Sequence, residues 1–406
     1  MKKWIMTVAM LGSLAGCQSV AALFDRHNSV QNAKAESMKR WNHSRAQVLY
    51  GVACEHLKVG QLDQARLKAM EVLSLEENNT EARLLLARVL IEQGNYAQAA
   101  AEMTKAREKS PDSAGALYLL GVALEKDGKL EEALEVYRRA HVLDETNLDA
   151  VMAAGEVLVT MGQLREAQHQ VESYMPLADN EPGMYELAGR LAMMNHEYAK
   201  AAQYLQQASD LDSRNVRYRE ALARARFRAG QQAETVQALN GLAECKSYKM
   251  PAWAHTMLGD CHMALGRPHN ARIAYEAAAE LTPESPGAWV NVAKAAMSAG
   301  DASRAIQSAR RALQLEATDL DAAMILGYSL LRDGQTTRAI SELTQATAAH
   351  PNSGMLHCLL GKAYAASGNG PEALRCYAAA LKAEPDNRLA RELIAASGGK
   401  EITKAN

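Results

Sequence analysis

The residues with the clearest capacity for chemistry are arginines in the segment Ser213–Ala229, which reads SRNVRYREALARARFRA. Arg217, Arg224 and Arg228 are spaced by seven and four positions, which places them on one face of a helix. Guanidinium groups bind carboxylates and phosphates through paired hydrogen bonds. The spacing therefore predicts a site for a negatively charged ligand. The alternative is a solvated helix face with ion pairs inside the helix.

Cysteine and histidine residues also cluster in the chain, at Cys245, His255, Cys261, His262 and His269. Their spacing matches no tight zinc-binding pattern, although Cys245 and Cys261 are a candidate disulfide pair in an oxidising compartment. No phosphate loop ending in Gly-Lys-Ser/Thr, no His-Glu-x-x-His motif and no Gly-x-Ser-x-Gly motif occurs. We therefore expect no metal, no cofactor and no enzymatic activity.

Small residues recur every 34 positions, with one two-residue slip late in the array. Glycine, replaced once by histidine, marks the predicted turns at Gly60, Gly94, Gly128, Gly162, His196, Gly230, Gly266, Gly300, Gly334 and Gly368. A second column holds nothing larger than alanine: Ala53, Ala87, Gly121, Gly155, Gly189, Ala223, Gly259, Ala293, Gly327 and Gly361. Because glycine is unfavourable inside a helix, this column predicts a close approach by another helix.

The period and these columns resemble the tetratricopeptide repeat, a helix–turn–helix unit of 34 residues. The resemblance implies an all-α fold, a right-handed α-solenoid or superhelix of about ten tandem units. Units one to six then occupy residues 46–250 and units seven to ten residues 251–387, followed by a capping helix and tail at 388–406. Two extra residues in the sixth unit, near Glu244–Pro251, are interpreted either as a hinge or as a tolerated insertion.

In tetratricopeptide arrays the first helix of each unit lines a concave groove. The resemblance places Arg190 beside the arginines of Ser213–Ala229, with Phe227 and Trp253 as apolar neighbours. It places further groove residues at Met193, Met263, Lys294, Met297, Met324, Tyr328 and Met355. Unbranched thioethers adapt to irregular peptides, although methionine at helical spacing is equally compatible with a core position.

The composition limits the function classes. The formal net charge is −2, which gives no general reason to expect a nucleic-acid partner. Only 5% of the residues are aromatic, and alanine fills the contact columns, which argues against a β-rich fold.

The first residues predict an export signal. Met1-Lys2-Lys3 is basic and Trp4–Ala15 is apolar but too short for a membrane span. Leu14–Cys17 reads Leu-Ala-Gly-Cys and resembles the lipobox of bacterial lipoproteins, which implies a signal peptide at 1–16 and a lipid on Cys17, as a diacylglyceryl thioether with palmitate-type chains. An ordinary signal with an incidental cysteine is the alternative. Residues 17–45 then form a linker, either coil or, from Ala33 to Arg45, helix.

In that family, Gln18 after the cysteine resembles outer-membrane sorting, which applies to a host with two membranes. We therefore expect a membrane-anchored, periplasm-facing scaffold or adaptor that mediates protein–protein interactions in an envelope machine for pilus assembly, secretion or exopolysaccharide export. Its partners would be proteins or peptides, including acidic segments. The alternative is an anionic-glycan-binding or regulatory subunit beside a glycan-processing enzyme.

Overall fold

A computed structural model describes residues 31–109, 113–245 and 248–397 of the 406-residue chain. Within these ranges all regular elements are helices and no strand occurs, which confirms the all-α prediction. None of these helices combines the length and the apolarity that a membrane span requires.

The helices α1 to α21 span, in order, residues 31–58, Leu62–Leu75, Thr80–Glu92, Tyr96–Lys109, Ala114–Lys126, Leu130–Leu143, Leu148–Thr160, Leu164–Tyr174, Pro182–Met194, Tyr198–Leu211, Val216–Arg228, Gln232–Ala243, Ala252–Ala264, Pro268–Leu281, Pro286–Ser298, Ala302–Leu315, Leu320–Arg332, Thr336–Ala349, Gly354–Ala366, Gly370–Ala383 and Arg388–Ala396. A short 3-10 helix, Met175–Leu177, follows α8 and contains Pro176.

The chain forms two compact units, Met1–Leu191 and Ala192–Asn406. In the first unit α2 to α8 pack in chain order, and α3 also contacts α5. In the second unit α10 to α21 do the same, and α15, α17 and α19 contact one another in succession. Each unit is therefore a stack of helix pairs joined by short turns, which confirms the α-solenoid class. The boundary predicted after Met250 stays a prediction.

The turn column adopts the backbone conformation that favours glycine. Its nine glycines have φ between 68° and 83°. His196 has a φ of 63° and is the one non-glycine residue with positive φ in the described part of the chain. This left-handed region is sterically unfavourable for an L-residue with a side chain, so the backbone of the turn at His196 is strained.

The small-residue columns lie between paired helices. Ala53, Ala87 and Ala133 are completely buried, and so is Thr235, which stands where most units have alanine. The Thr235 hydroxyl donates a hydrogen bond to the Gln231 carbonyl oxygen at 2.7 Å, so the sixth unit buries no unpaired hydroxyl there.

The two ends of the described chain are helical. Of the two conformations considered for Ala33–Arg45, the structure shows helix, continuous with the first repeat. Residues 31–50 contain neither glycine nor proline, so helix propagation meets no break there. At the other end α21 packs against α19 and α20 and buries Ala390 and Ile394. The lipobox and Cys17 lie outside the described residues.

Candidate partner-binding site

Helix α11 presents the predicted arginine patch, which consists of Arg217, Arg224 and Arg228. The Asn215 side chain caps the helix by accepting a hydrogen bond from the Arg217 amide at 3.1 Å. All three arginines are exposed, and within the described ranges none forms an ion pair. The exposure of the three side chains agrees with the solvated face of the alternative, whereas the ion pairs that it predicted are absent for them among the described residues. The ligand site itself stays a prediction.

Aromatic rings hold two arginines of the patch. The Arg224 guanidinium lies 3.9 Å from the centroid of the Trp253 ring, and the Arg228 guanidinium lies 5.5 Å from that of Tyr198. Such cation–π contacts fix a long side chain while its N–H groups still point outward to a carboxylate or phosphate. The predicted proximity of Trp253 to the arginines is thus observed. Phe227 is half-buried on the same helix.

The insertion of the sixth unit reaches the edge of this patch. The Tyr248 hydroxyl donates a hydrogen bond to a Glu220 carboxylate oxygen at 2.5 Å. Burial and this hydrogen bond raise the pKa of Tyr248 well above its ordinary value of 10.0, so the tyrosine remains a donor. The loop that contains the insertion therefore supplies a side chain that holds a carboxylate one helical turn before Arg224.

Arg190 differs from the patch. It belongs to the first unit, where its guanidinium pairs with Glu156 and lies 3.5 Å from Glu186. Burial raises the pKa of Glu186, an effect that Arg190 partly offsets. Arg190 is thus already neutralised by carboxylates, and its expected place beside Arg217 stays a prediction.

The methionines predicted for the groove divide into two groups. Met193 and Met263 are half-buried and pack against apolar core clusters, which supports the core interpretation for both. Met297 and Met324 are likewise half-buried and pack against a core cluster, but together with the exposed Met355 they line an open cleft of about 560 Å³. We call it the methionine cleft; it is lined by Lys294, Met297, Ser298, Asp321, Met324, Ile325, Tyr328, Arg332, Met355 and Leu359.

The methionine cleft combines an apolar floor with a charged rim. Its volume lies in the range typical of ligand pockets, about 300–1,000 Å³. At the rim Lys294 Nζ donates a hydrogen bond to Asp321 Oδ2 at 2.7 Å. Arg332 Nη1 donates to the Tyr328 hydroxyl at 3.3 Å. The cleft can therefore take an apolar side chain, while Arg332, which has no carboxylate partner among the described residues, lies at its edge for an anionic group. Lys294 is already paired with Asp321.

Sequence reasoning assigned no site to Asp321, Ile325, Arg332 or Leu359. The repeat alignment could have identified two of them as groove positions. Arg332 occupies the repeat position of Arg228, and Asp321 occupies that of Trp253. The repeat alignment cannot predict the volume of the methionine cleft, because that volume depends on the orientation of neighbouring methionine side chains.

The cysteine–histidine cluster is not assembled into one site. Cys245 and Cys261 are both free thiols; Cys245 Sγ accepts a hydrogen bond from Arg219 Nη1 at 2.8 Å. Cys261 and His262 are buried and His269 is exposed. Across 31–109, 113–245 and 248–397, no group of three potential ligands is suited to hold a metal ion.

Family models described as tetratricopeptide repeat match most of the array. One matches residues 50–104, 84–147, 186–249, 256–322 and 290–354, and another matches residues 330–396. The chain belongs to the tetratricopeptide repeat family. Its repeats make it a candidate scaffold for protein or peptide partners, since these repeats act in protein–protein interaction.

Individual relatives are distant. The chain is 25% identical over 182 residues to Protein O-mannosyl-transferase TMTC1 of Homo sapiens, which covers 43% of this chain and 20% of that protein. It thus spans about a fifth of that relative's length.

Solved structures with a similar fold are also remote in sequence. The APC/C hetero-tetramer Cut9–Hcn1 is 14% identical, with 87% of this chain and 96% of that chain covered and a TM-score of 0.37. MamA is 22% identical, with coverages of 43% and 94% and a TM-score of 0.37. A tetratricopeptide repeat protein from Parabacteroides merdae ATCC 43184 is 14% identical, with coverages of 62% and 98% and a TM-score of 0.42.

Proposed function

We propose that this tetratricopeptide repeat chain is a non-catalytic scaffold that holds an extended segment of a partner protein on the first helices of its second unit. The methionine cleft is the observation that carries this proposal. It is open to solvent, its floor is apolar, and Met355 is 42% exposed although it is a large hydrophobic residue. Thioethers that line a concavity suit a peptide surface that must adapt to its occupant.

The charged residues define what the segment would contain. An apolar side chain fills the cleft, and an acidic group next to it meets Arg332. The arginine patch lies on equivalent repeat positions of earlier helices, with Arg224 at the position of Lys294. A segment that continues along the first helices would therefore alternate apolar and acidic residues.

A photo-crosslinking amino acid at position 355 tests this function in envelope extract. We expect it to capture a partner protein, and we expect the substitutions Met324→Glu and Arg332→Glu to abolish capture. The control places the same crosslinker at Met70, a methionine of the first unit that is 50% exposed and lies outside the cleft. Equal capture at both positions, or capture that survives both substitutions, would refute the assignment of the cleft.

The location we propose is the periplasmic side of an envelope membrane, the outer one in a host with two membranes, through a lipid on Cys17. The similarity of Leu14–Cys17 to a lipobox supports this placement. In that place the scaffold would serve an envelope machine for pilus assembly, secretion or exopolysaccharide export. Identification of the protein crosslinked at position 355 decides among the three.

A second candidate function is the binding of an anionic glycan beside a glycan-processing enzyme. The arginine patch favours it, because Arg217, Arg224 and Arg228 are exposed and lack ion pairs to described residues. Binding of an anionic polysaccharide should then weaken with salt and disappear in the variant Arg217→Glu/Arg224→Glu. The control variant Arg375→Glu/Arg388→Glu makes the same change in net charge on α20 and on the capping helix α21, and it should retain polysaccharide binding. An equal loss of binding in both variants would indicate nonspecific electrostatic attraction.

A further inference from the structure

The first helix, α1, has an apolar side that no described residue covers. Trp41, Val48 and Val59 are 64%, 68% and 66% exposed, and Val52 is exposed as well. The opposite side of the helix enters the fold at Ala46, which is buried. In a helix built for one interface, the outer side carries polar residues.

The exposed residues follow one heptad register. Alternate steps of four and three positions describe a single stripe along α1 and the turn residue that follows it, which we call the α1 stripe: Trp41, Arg45, Val48, Val52, Glu55 and Val59. All six side chains are exposed. Four are apolar, and the two charged members, Arg45 and Glu55, have opposite signs.

In the inner repeats the same side of the first helix is an interface. Leu222, at the repeat position of Val52, belongs to one apolar cluster with Leu205 of the preceding second helix. Val292, at the same position two repeats later, lies with Tyr275 of the preceding second helix. At the position of Val52 the α1 stripe thus corresponds to one half of a repeat interface, and no described residue supplies the other half.

We propose that a second copy of this chain covers the α1 stripe, with the two α1 helices packed antiparallel. In antiparallel pairing the a and d positions of one helix meet d and a positions of the other. If Arg45 faces Glu55 of the second copy, Val48 necessarily faces Val52 of that copy. The same register places Trp41 against Val59 of the second copy. In this register the apolar residues of the stripe contact apolar residues of the second copy, and Arg45 and Glu55 each face a residue of opposite charge.

The proposed antiparallel orientation of the two α1 helices is also the orientation of neighbouring helices within the fold. Each first helix of an inner repeat packs against a preceding second helix, to which a short turn joins it, so the two run antiparallel. Gly51 lies near the midpoint of the antiparallel overlap, and a Cβ added there would meet no atom within 4 Å beyond the local helix backbone. A helix interior without a side chain there lets a second helix approach closely.

Charge favours a protein helix over a lipid surface. Glu55 lies within the stripe, and a membrane would have to desolvate its carboxylate among apolar chains. The present partner of Glu55 is Lys58 at 2.8 Å, and both side chains are about 70% exposed. Solvent screens such an exposed pair, so its exchange for Arg45 of the second copy costs little.

Charge reversal tests the pairing in the full chain. Sedimentation equilibrium in a density-matched detergent should show a dimer whose Kd lies below about 100 µM. Arg45→Glu and Glu55→Arg should each raise this Kd at least about tenfold, because each sets like charges opposite each other. The double variant Arg45→Glu/Glu55→Arg should return it to within about threefold of wild type. Arg40→Glu reverses an exposed charge of α1 outside the stripe and should leave the Kd unchanged.

Three outcomes would overturn the proposal. A full chain that stays monomeric at about 100 µM has no such dimer. Single variants that dimerise like wild type, or a double variant that does not recover, place the dimer contact elsewhere. A monomer that binds anionic vesicles, less after Arg45→Glu and more after Glu55→Arg, assigns the stripe to a membrane surface.

Discussion

The ring of Tyr137 occupies the space that a side chain at Gly121 would need. A Cβ added at Gly121 would lie 2.5 Å from Tyr137 Cε1 and 2.6 Å from Cδ1. The ring is completely buried, and its hydroxyl donates a hydrogen bond to Glu125 Oε2 at 2.9 Å. Gly259 faces Tyr275 and Gly361 faces Tyr377 in the same way, whereas Gly155 and Gly327 face the aliphatic side chains of Val171 and Leu343.

This contact makes Gly121→Ala a destabilising change although alanine is the better helix former. The methyl group forces the Tyr137 ring aside, at a cost of about 1–3 kcal/mol, which exceeds the gain of about 1 kcal/mol in helix propensity. We expect a lower urea midpoint for unfolding of the full chain. Gly115→Ala, in the same helix but with no atom within 4 Å, should leave the midpoint unchanged or raise it. Equal effects of the two substitutions would contradict the role given to Tyr137.

The sequence alone predicts the repeat, the helical class and the turn positions, because each depends on short-range periodicity. It also predicts that Gly121 lies against another helix. The identity of the blocking group follows less directly: sixteen positions after Ala53 and Ala293 the chain has Ala69 and Ala309, whereas Gly121 is followed at that distance by Tyr137. Large residues also follow alanine at this distance, Met103 after Ala87 and Leu239 after Ala223, but tyrosine follows only glycine.

The candidate site is harder to predict, since it depends on side-chain orientation. The register placed Trp253 close to Arg224, and the cation–π contact agrees with that placement. It could not show that Arg190 is paired with Glu156 while Arg224 has no such partner among the described residues. Nor could it distinguish Met263, which packs into a core cluster, from Met355, which lines the cleft.

His196 in the turn column offers a stabilising substitution. Its φ of 63° costs an L-residue about 1–2 kcal/mol relative to glycine. His196→Gly should therefore raise the free energy of unfolding by about 1 kcal/mol. The loss of the hydrogen bond between His196 Nδ1 and the Tyr198 hydroxyl reduces this gain. The reciprocal change Gly162→His should lower it by a similar amount, since Gly162 has a φ of 76° and open space around it. Urea unfolding of both variants measures the two effects; a destabilised His196→Gly chain would show that the Tyr198 contact dominates.

The proposed anchor predicts a covalent lipid on one cysteine. Cys17→Ser should abolish incorporation of radiolabelled palmitate and release the protein from membranes, without a change in far-UV circular dichroism. Cys54→Ser alters a thiol in the first repeat and serves as the control, since it should keep the label. Label that persists after Cys17→Ser would refute the lipobox interpretation.

Acid should weaken the second unit through His262. Burial, and secondarily the charge of Arg267, lowers the pKa of His262 below its ordinary value of 6.5. Burial has the same effect on His255. A histidine with a lowered folded-state pKa binds protons more tightly in the unfolded chain, so stability is lost as the pH falls through 6.5 and is retained above it.

His262→Leu should reduce this loss, because leucine occupies the same repeat position at Leu90, Leu124, Leu158 and Leu330. His269→Leu removes an exposed imidazole and should leave the pH dependence unchanged; thermal unfolding between about pH 5 and pH 8 compares both variants with wild type.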